Sequence, residues 1–182
     1  MMPDFRHSIS EEARGALVSM LGEIVNVRAE KASIFREGAS VHGVWLLTSS
    51  SAYRVDHVWM ETPATSMDYF EFTITKQDAT KEQIQRLPII FGKVNRTPVT
   101  SIHIIECFDE DEVVSGKNLG TRETVRFDGA LAFWMGNGTS FKLGFDNSIA
   151  GSITLAHYDS AHFMSSVREW RVRETLSADT FH

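Results

Sequence analysis

Residues 122–156, RETVRFDGALAFWMGNGTSFKLGFDNSIAGSITLA, decide the fold. Apolar residues alternate with polar ones along short segments, interrupted by Asp128-Gly129 and Gly136-Asn137-Gly138. Asp-Gly and Asn-Gly supply the positive φ that tight primed turns need, so both interruptions predict antiparallel hairpins. The expected strands are Arg122–Phe127, Ala130–Met135, Ser140–Asp146 and Ser152–Ala156. Their inward set is Val125, Phe127, Leu131, Phe133, Phe141, Leu143, Phe145, Ile153 and Leu155. Each large side chain of that set, once buried, contributes about 1.5–3 kcal/mol. No catalytic or cofactor motif rides on these strands, and Gly136-Asn137-Gly138 sits between strands rather than before a helix, unlike a dinucleotide-binding loop.

Working outward, Ser101–Phe108 is apolar on both faces and predicts an internal strand. Val167–Leu176 reads as a closing strand whose many charges suit an exposed edge. Upstream, Val41–Leu47 and Ala52–Met60 form a predicted pair around Thr48-Ser49-Ser50-Ser51. In Tyr69–Lys76, Phe70, Phe72 and Ile74 face one way and Glu71, Thr73 and Thr75 the other. At the N-terminus Ser8-Ile9-Ser10-Glu11 matches a capping box. Ala13, Ala16, Leu17, Met20, Leu21 and Ile24 follow at helical spacing, predicting a helix from about Ser10 to Leu21. Glu23–Arg28 is open between helix and strand. Thr80-Lys81-Glu82-Gln83 predicts a second, short helix that ends before Pro88.

No repeat or linker divides the 182 residues, so a single domain over 1–182 is expected. The expected fold is α+β and mostly antiparallel: a twisted sheet or small sandwich with the N-terminal helix packed on it. A chain of this length buries roughly 70% of its unfolded surface and needs no covalent staple. Cys107 is the lone cysteine, which excludes an internal disulfide and a cysteine-based zinc cage. Met1–His7 lacks the apolar core of a signal peptide, and no apolar run reaches a membrane span. A cytoplasmic location follows as the expectation, with no membrane partner, and Asn95-Arg96-Thr97 and Asn137-Gly138-Thr139 then read as chance sequons.

The formal net charge is −6. Lysines and arginines are scattered apart from Arg168, Arg171 and Arg173, so nucleic acid is not an expected partner, whereas a basic protein surface is. The strongest local bias is the acidic group Glu106, Asp109, Glu110, Asp111 and Glu112. It reads as a docking patch, against the plainer reading of a solvated loop between two strands. Its spacing fails the calcium-loop pattern.

His157, Asp159 and His162 are the compact group with metal or acid–base character, but nothing in their spacing approaches a metal-binding motif. Surface histidines on a turn are the simpler reading. His103 and Cys107 share a strand face about 7 Å apart per step, too far for a thiol–imidazole bond on a straight strand. Tyr53, His57, Trp59, Trp45, Trp134 and Trp170 form a core or line a concave ligand face. Two functions are therefore carried. The first is a non-enzymatic protein-binding domain, of the kind by which bacterial immunity proteins neutralise a basic toxin or nuclease, using residues 106–112. The alternative is a small-molecule carrier or enzyme using Tyr53, His57, His103, His157, Asp159 and His162. No cofactor or metal is expected for either.

Overall fold

The computed structural model describes residues 3–35, 38–77, 86–87, 96–145, 153–156 and 169–178. Within them lie one helix, α1 (Glu11–Val18), and ten strands: β1 (Asp4–His7), β2 (Asn26–Phe35), β3 (Gly38–Leu47), β4 (Ala52–Glu61), β5 (Asp68–Gln77), β6 (Val99–Glu112), β7 (Arg122–Met135), β8 (Ser140–Phe145), β9 (Ile153–Ala156) and β10 (Glu169–Ser177). The fold is α+β: an open, twisted and mostly antiparallel sheet with an N-terminal helix. The strand order is β10-β6-β7-β8-β9-β3-β4-β5, with β2 added to β3 and β1 added in parallel to β7. The sheet coils far enough for β5 to lie against β7, where Phe70 meets Phe127 with ring centroids 6.2 Å apart. The predicted helix near Thr80, residues 167–168 and the side chain of Phe145 lie outside the described residues.

Alternation explains most of the strands. Phe70, Phe72 and Ile74 are buried on β5 while Glu71, Thr73 and Thr75 remain half-buried, and β3 pairs β4 across Val44–Val55 as the polar link implies. β6 is internal and β10 is terminal in the described order. β2 takes the second half of the segment left open, Asn26–Arg28, and Gly136-Asn137-Gly138 is the hairpin turn between β7 and β8, closed by Met135 N–H to Thr139 O at 2.9 Å.

Two expectations are corrected. Asp128-Gly129 is no turn. β7 runs through it as one 14-residue strand, and the register steps from Ile105↔Ala130 to Glu106↔Asp128, leaving Gly129 as the extra residue of a β-bulge. The bulge reverses the parity of β7. Leu131 and Phe133 therefore pack with Ile102, Ile104, Phe141, Leu143, Ile153 and Leu155 in the main core, whereas Val125 and Phe127 join Ile105, Cys107, Met67 and Phe70 in a second cluster. The helix is also shorter than expected, and its cap is Ser10, whose hydroxyl accepts from Ala13 N–H at 3.1 Å. Ser8 is excluded as the cap because the chain up to His7 is held as a strand against β7.

β3 and β7 each change neighbour along one edge partway along their length. β3 pairs β9 over Gly38–Val41 and β4 over Val44–Leu47, with Gly43 at the break. Gly43 has φ of +63°, a left-handed conformation that favours glycine, whereas the Glu30 side chain that a Cβ would meet is flexible and can move aside. β7 pairs β1 over Thr124–Phe127 and β8 over Ala130–Trp134, with the bulge at the break. At the β3–β9 contact, a Cβ on Gly38 would run into the Leu155 carbonyl oxygen, so the two backbones approach too closely for a side chain there.

Candidate interaction surface on the long hairpin

The acidic run is not a loop. Asp109–Glu112 are the last four residues of β6, laddered onto β7 from Asp109↔Val125 to Glu112↔Arg122. The β10 pairing stops at Glu169↔Phe108, so these four extend past the last β10 rung among the described residues. Solvated carboxylates thus sit on a strand pair fixed by backbone hydrogen bonds, with little conformational freedom left to lose on binding. Asp109 Oδ1 accepts from Glu110 N–H at 2.9 Å and Asp111 Oδ1 from Glu112 N–H at 2.8 Å, which orients both aspartates.

The five acidic residues do not form one patch of equal standing. Glu106 is largely covered and paired to Arg171, with Nε 2.7 Å from Oε2. Glu112 pairs with Arg122 at 2.6 Å, both exposed. Asp111 and Glu112 are exposed, and Asp109 and Glu110 half-buried. Beyond Glu112 the hairpin closes through Val113 N–H to Thr121 O and Gly120 N–H to Val113 O, each 2.9 Å. At this tip Val114 is 86% and Leu119 68% exposed. Sequence reasoning missed both; the glycines at 116 and 120 were the available signal that residues 113–121, not the acidic run, make the turn.

A buried carboxylate braces the hairpin just below its tip. Glu123, 2% exposed on β7, accepts from Ala64 N–H at 3.1 Å and from the N–H and hydroxyl of Thr65, each at 2.8 Å. It ties the β4–β5 turn, in which Ser66 takes a left-handed φ of 55°, to the β6–β7 hairpin. Burial pushes its pKa up, but the Thr65, Thr62 and Ala64 hydrogen bonds outweigh that and hold it below the ordinary glutamate value. A depressed folded pKa means stability that is complete above the unfolded value of about 4.3 and is lost as pH falls through the lower folded value. Glu123→Gln is expected to cost about 1–3 kcal/mol at neutral pH and to remove this part of the acid dependence. Urea titrations at neutral and acidic pH check it; an unchanged pH dependence in the variant would refute the assignment.

The other candidates are dispersed. Tyr53 is buried in the main core, its hydroxyl 2.7 Å from Ser19 Oγ. His57 packs on Phe70 with centroids 5.0 Å apart, and His103 lies 6.0 Å from Trp134, its pKa lowered by burial. His157, Asp159 and His162 lie outside the described residues. Burial pushes the Cys107 thiol up to about 12, leaving it protonated at neutral pH and a poor nucleophile. Trp45 and Trp134 are half-buried, whereas Trp59 and Trp170 are 51% and 49% exposed. Trp59 donates to Asp68 at 2.9 Å, and Trp170 sits beside Cys107 at the β10 edge, near the start of the acidic run. Among the described residues no group of three or more His, Cys, Asp or Glu is arranged to hold a metal ion, and no helix is long and apolar enough to cross a membrane. Comparison of the chain with protein-family models, with curated proteins and with solved structures gives no match.

Proposed function

We propose that the protein is a non-enzymatic, cytoplasmic protein-binding domain that docks a basic partner on the end of the β6–β7 hairpin. An immunity-type role, masking a basic toxin or nuclease, is the concrete form of this reading. One observation carries it: Asp109, Glu110, Asp111 and Glu112 ride on a laddered strand that leads to two large exposed aliphatic side chains, Val114 and Leu119. Carboxylates at the rim raise the rate of encounter with a basic surface and reject acidic ones, while the aliphatic tip supplies apolar area to bury. Trp170 beside the start of the run is a further aromatic contact within the same region. The small-molecule reading draws less support, because Tyr53, His57 and His103 pack against different neighbours.

The test is affinity capture from native lysate at low and moderate salt with three proteins. They are the wild type, a variant carrying Asp109→Lys, Glu110→Lys, Asp111→Lys and Glu112→Lys, and a variant carrying Val114→Ser and Leu119→Ser. The expected result is one stoichiometric partner held by the wild type, lost by the charge-reversed variant and weakened by the tip variant. Identical captures by all three would sink the reading.

A further inference from the structure

Two bulges face each other across one residue of β6. On β7, Gly129 is extra between the pairs Ile105↔Ala130 and Glu106↔Asp128; on β10, Arg173 is extra between Val172↔Ile105 and Glu174↔Ile104. β7 and β10 flank β6, so their backbones stand about 10 Å apart. Asp128 and Arg173 meet over the strand between them in a bidentate pair, Nε to Oδ1 and Nη2 to Oδ2 at 2.8 Å each. The Asp128 side chain is 2% exposed and that of Arg173 28%. A planar fork fills this geometry in a way that the single ammonium of lysine does not.

The N-terminal segment is fastened to the same pair. Ile9 N–H donates to Asp128 Oδ2 at 2.8 Å, and Arg14 on α1 donates to Glu174 Oε1 through Nε at 2.9 Å and Nη2 at 2.6 Å. Arg173 Nη1 also lies 3.6 Å from Glu174 Oε2, so one guanidinium touches both carboxylates that hold the N-terminal segment. The segment is also held by Thr124, whose N–H donates to the Pro3 carbonyl and whose hydroxyl donates to Asp4 Oδ1, each at 3.1 Å, and by Ile9, which is buried in the main core; its other ties are modest. β1 is a four-residue parallel strand, Phe5 is only partly buried, and His7 leans on Tyr69 with centroids 4.7 Å apart. On the other side of the network Leu176 of β10 packs in the same core as Ala13 and Leu17 of α1.

We propose that Asp128 and Arg173 form a latch through which the N-terminal segment (β1 and the entry to α1) and β10 open and close as one unit. Opening at the C-terminal strand then bares the β7 edge from Thr124 to Phe127, which β1 otherwise occupies. The two ends of the chain, about 160 residues apart in sequence, thereby share one local opening equilibrium.

Native-state hydrogen exchange on the full chain tests this, comparing wild type, Arg173→Gln and Arg14→Gln. The expected result for Arg173→Gln is that amides of Asp4–Ile9 and of Glu169–Ser177 both exchange roughly tenfold faster or more, by matching factors, while Val44–Leu47 changes less. Arg14→Gln, on α1, is expected to speed exchange in β10 as well as at its own end. Acceleration confined to the mutated end would overturn the latch. Equal acceleration everywhere, Val44–Leu47 included, would overturn it too, because the network would then act only on global stability.

Discussion

Asp128→Ala is expected to lower the unfolding free energy by about 3–5 kcal/mol, a large share of the roughly 5–15 kcal/mol available to a domain. The change deletes the carboxylate that receives both arms of Arg173 and the Ile9 N–H. The guanidinium keeps its 3.6 Å neighbour Glu174 and some access to water, which favours the lower end of that range. Ile9 N–H has neither, being on a residue 8% exposed. Asp128→Asn separates these losses. It retains an acceptor for Ile9 but gives the arginine a neutral amide, and roughly half the full cost is expected. Urea denaturation with an unchanged m-value is the measurement. A loss below about 1 kcal/mol for the alanine variant would mean that the pair behaves like a solvated surface ion pair.

Phe133→Ala is expected to cost a similar amount, about 3–5 kcal/mol, through a different mechanism. Phe133 is 0% exposed and stacks on Phe141 with centroids 4.7 Å apart and planes 8° from parallel. It pairs with Ile102 on one side and Phe141 on the other, so its ring lies at the centre of the main core. A cavity there is walled by strands whose ladders resist collapse, so the penalty stays near the upper end of the range. For a chain of this size the melting temperature should fall by about 10 °C. Phe133→Leu, which keeps most of the volume, should cost less than about 1.5 kcal/mol. Equal effects of the two substitutions would show that packing volume at this position does not govern stability.

The consequences of these substitutions were legible in the sequence to different degrees. Phe133 stood out from the alternation alone, together with Phe141, Leu143, Ile153 and Leu155, and all are buried. Asp128 did not. Beside Gly129 it formed a dipeptide that suits a tight turn and a bulge about equally, and no residue within the strand distinguishes them. The deciding groups are Arg173 and Ile9, whose distance along the chain hides them from any local reading. The acidic run behaved in the same way. Charge marked Asp109–Glu112 as surface, but strand propensity is low for Asp and Glu, and only the ladder to β7 holds them extended. β1 gave no signal because four residues carry too little periodicity, and its pairing with Thr124–Phe127 is wholly non-local.

The sequence by itself determined the antiparallel character of the sheet, the Gly136–Gly138 hairpin, an N-terminal helix and most of the core, because alternation and turn chemistry act between residues a few positions apart. Only the tertiary structure decided that β7 passes unbroken through Asp128-Gly129, that its two halves feed different clusters, and that the chain ends meet there. A buried carboxylate must find donors wherever the fold supplies them, and those donors belong to β10 and to the segment that leads into α1.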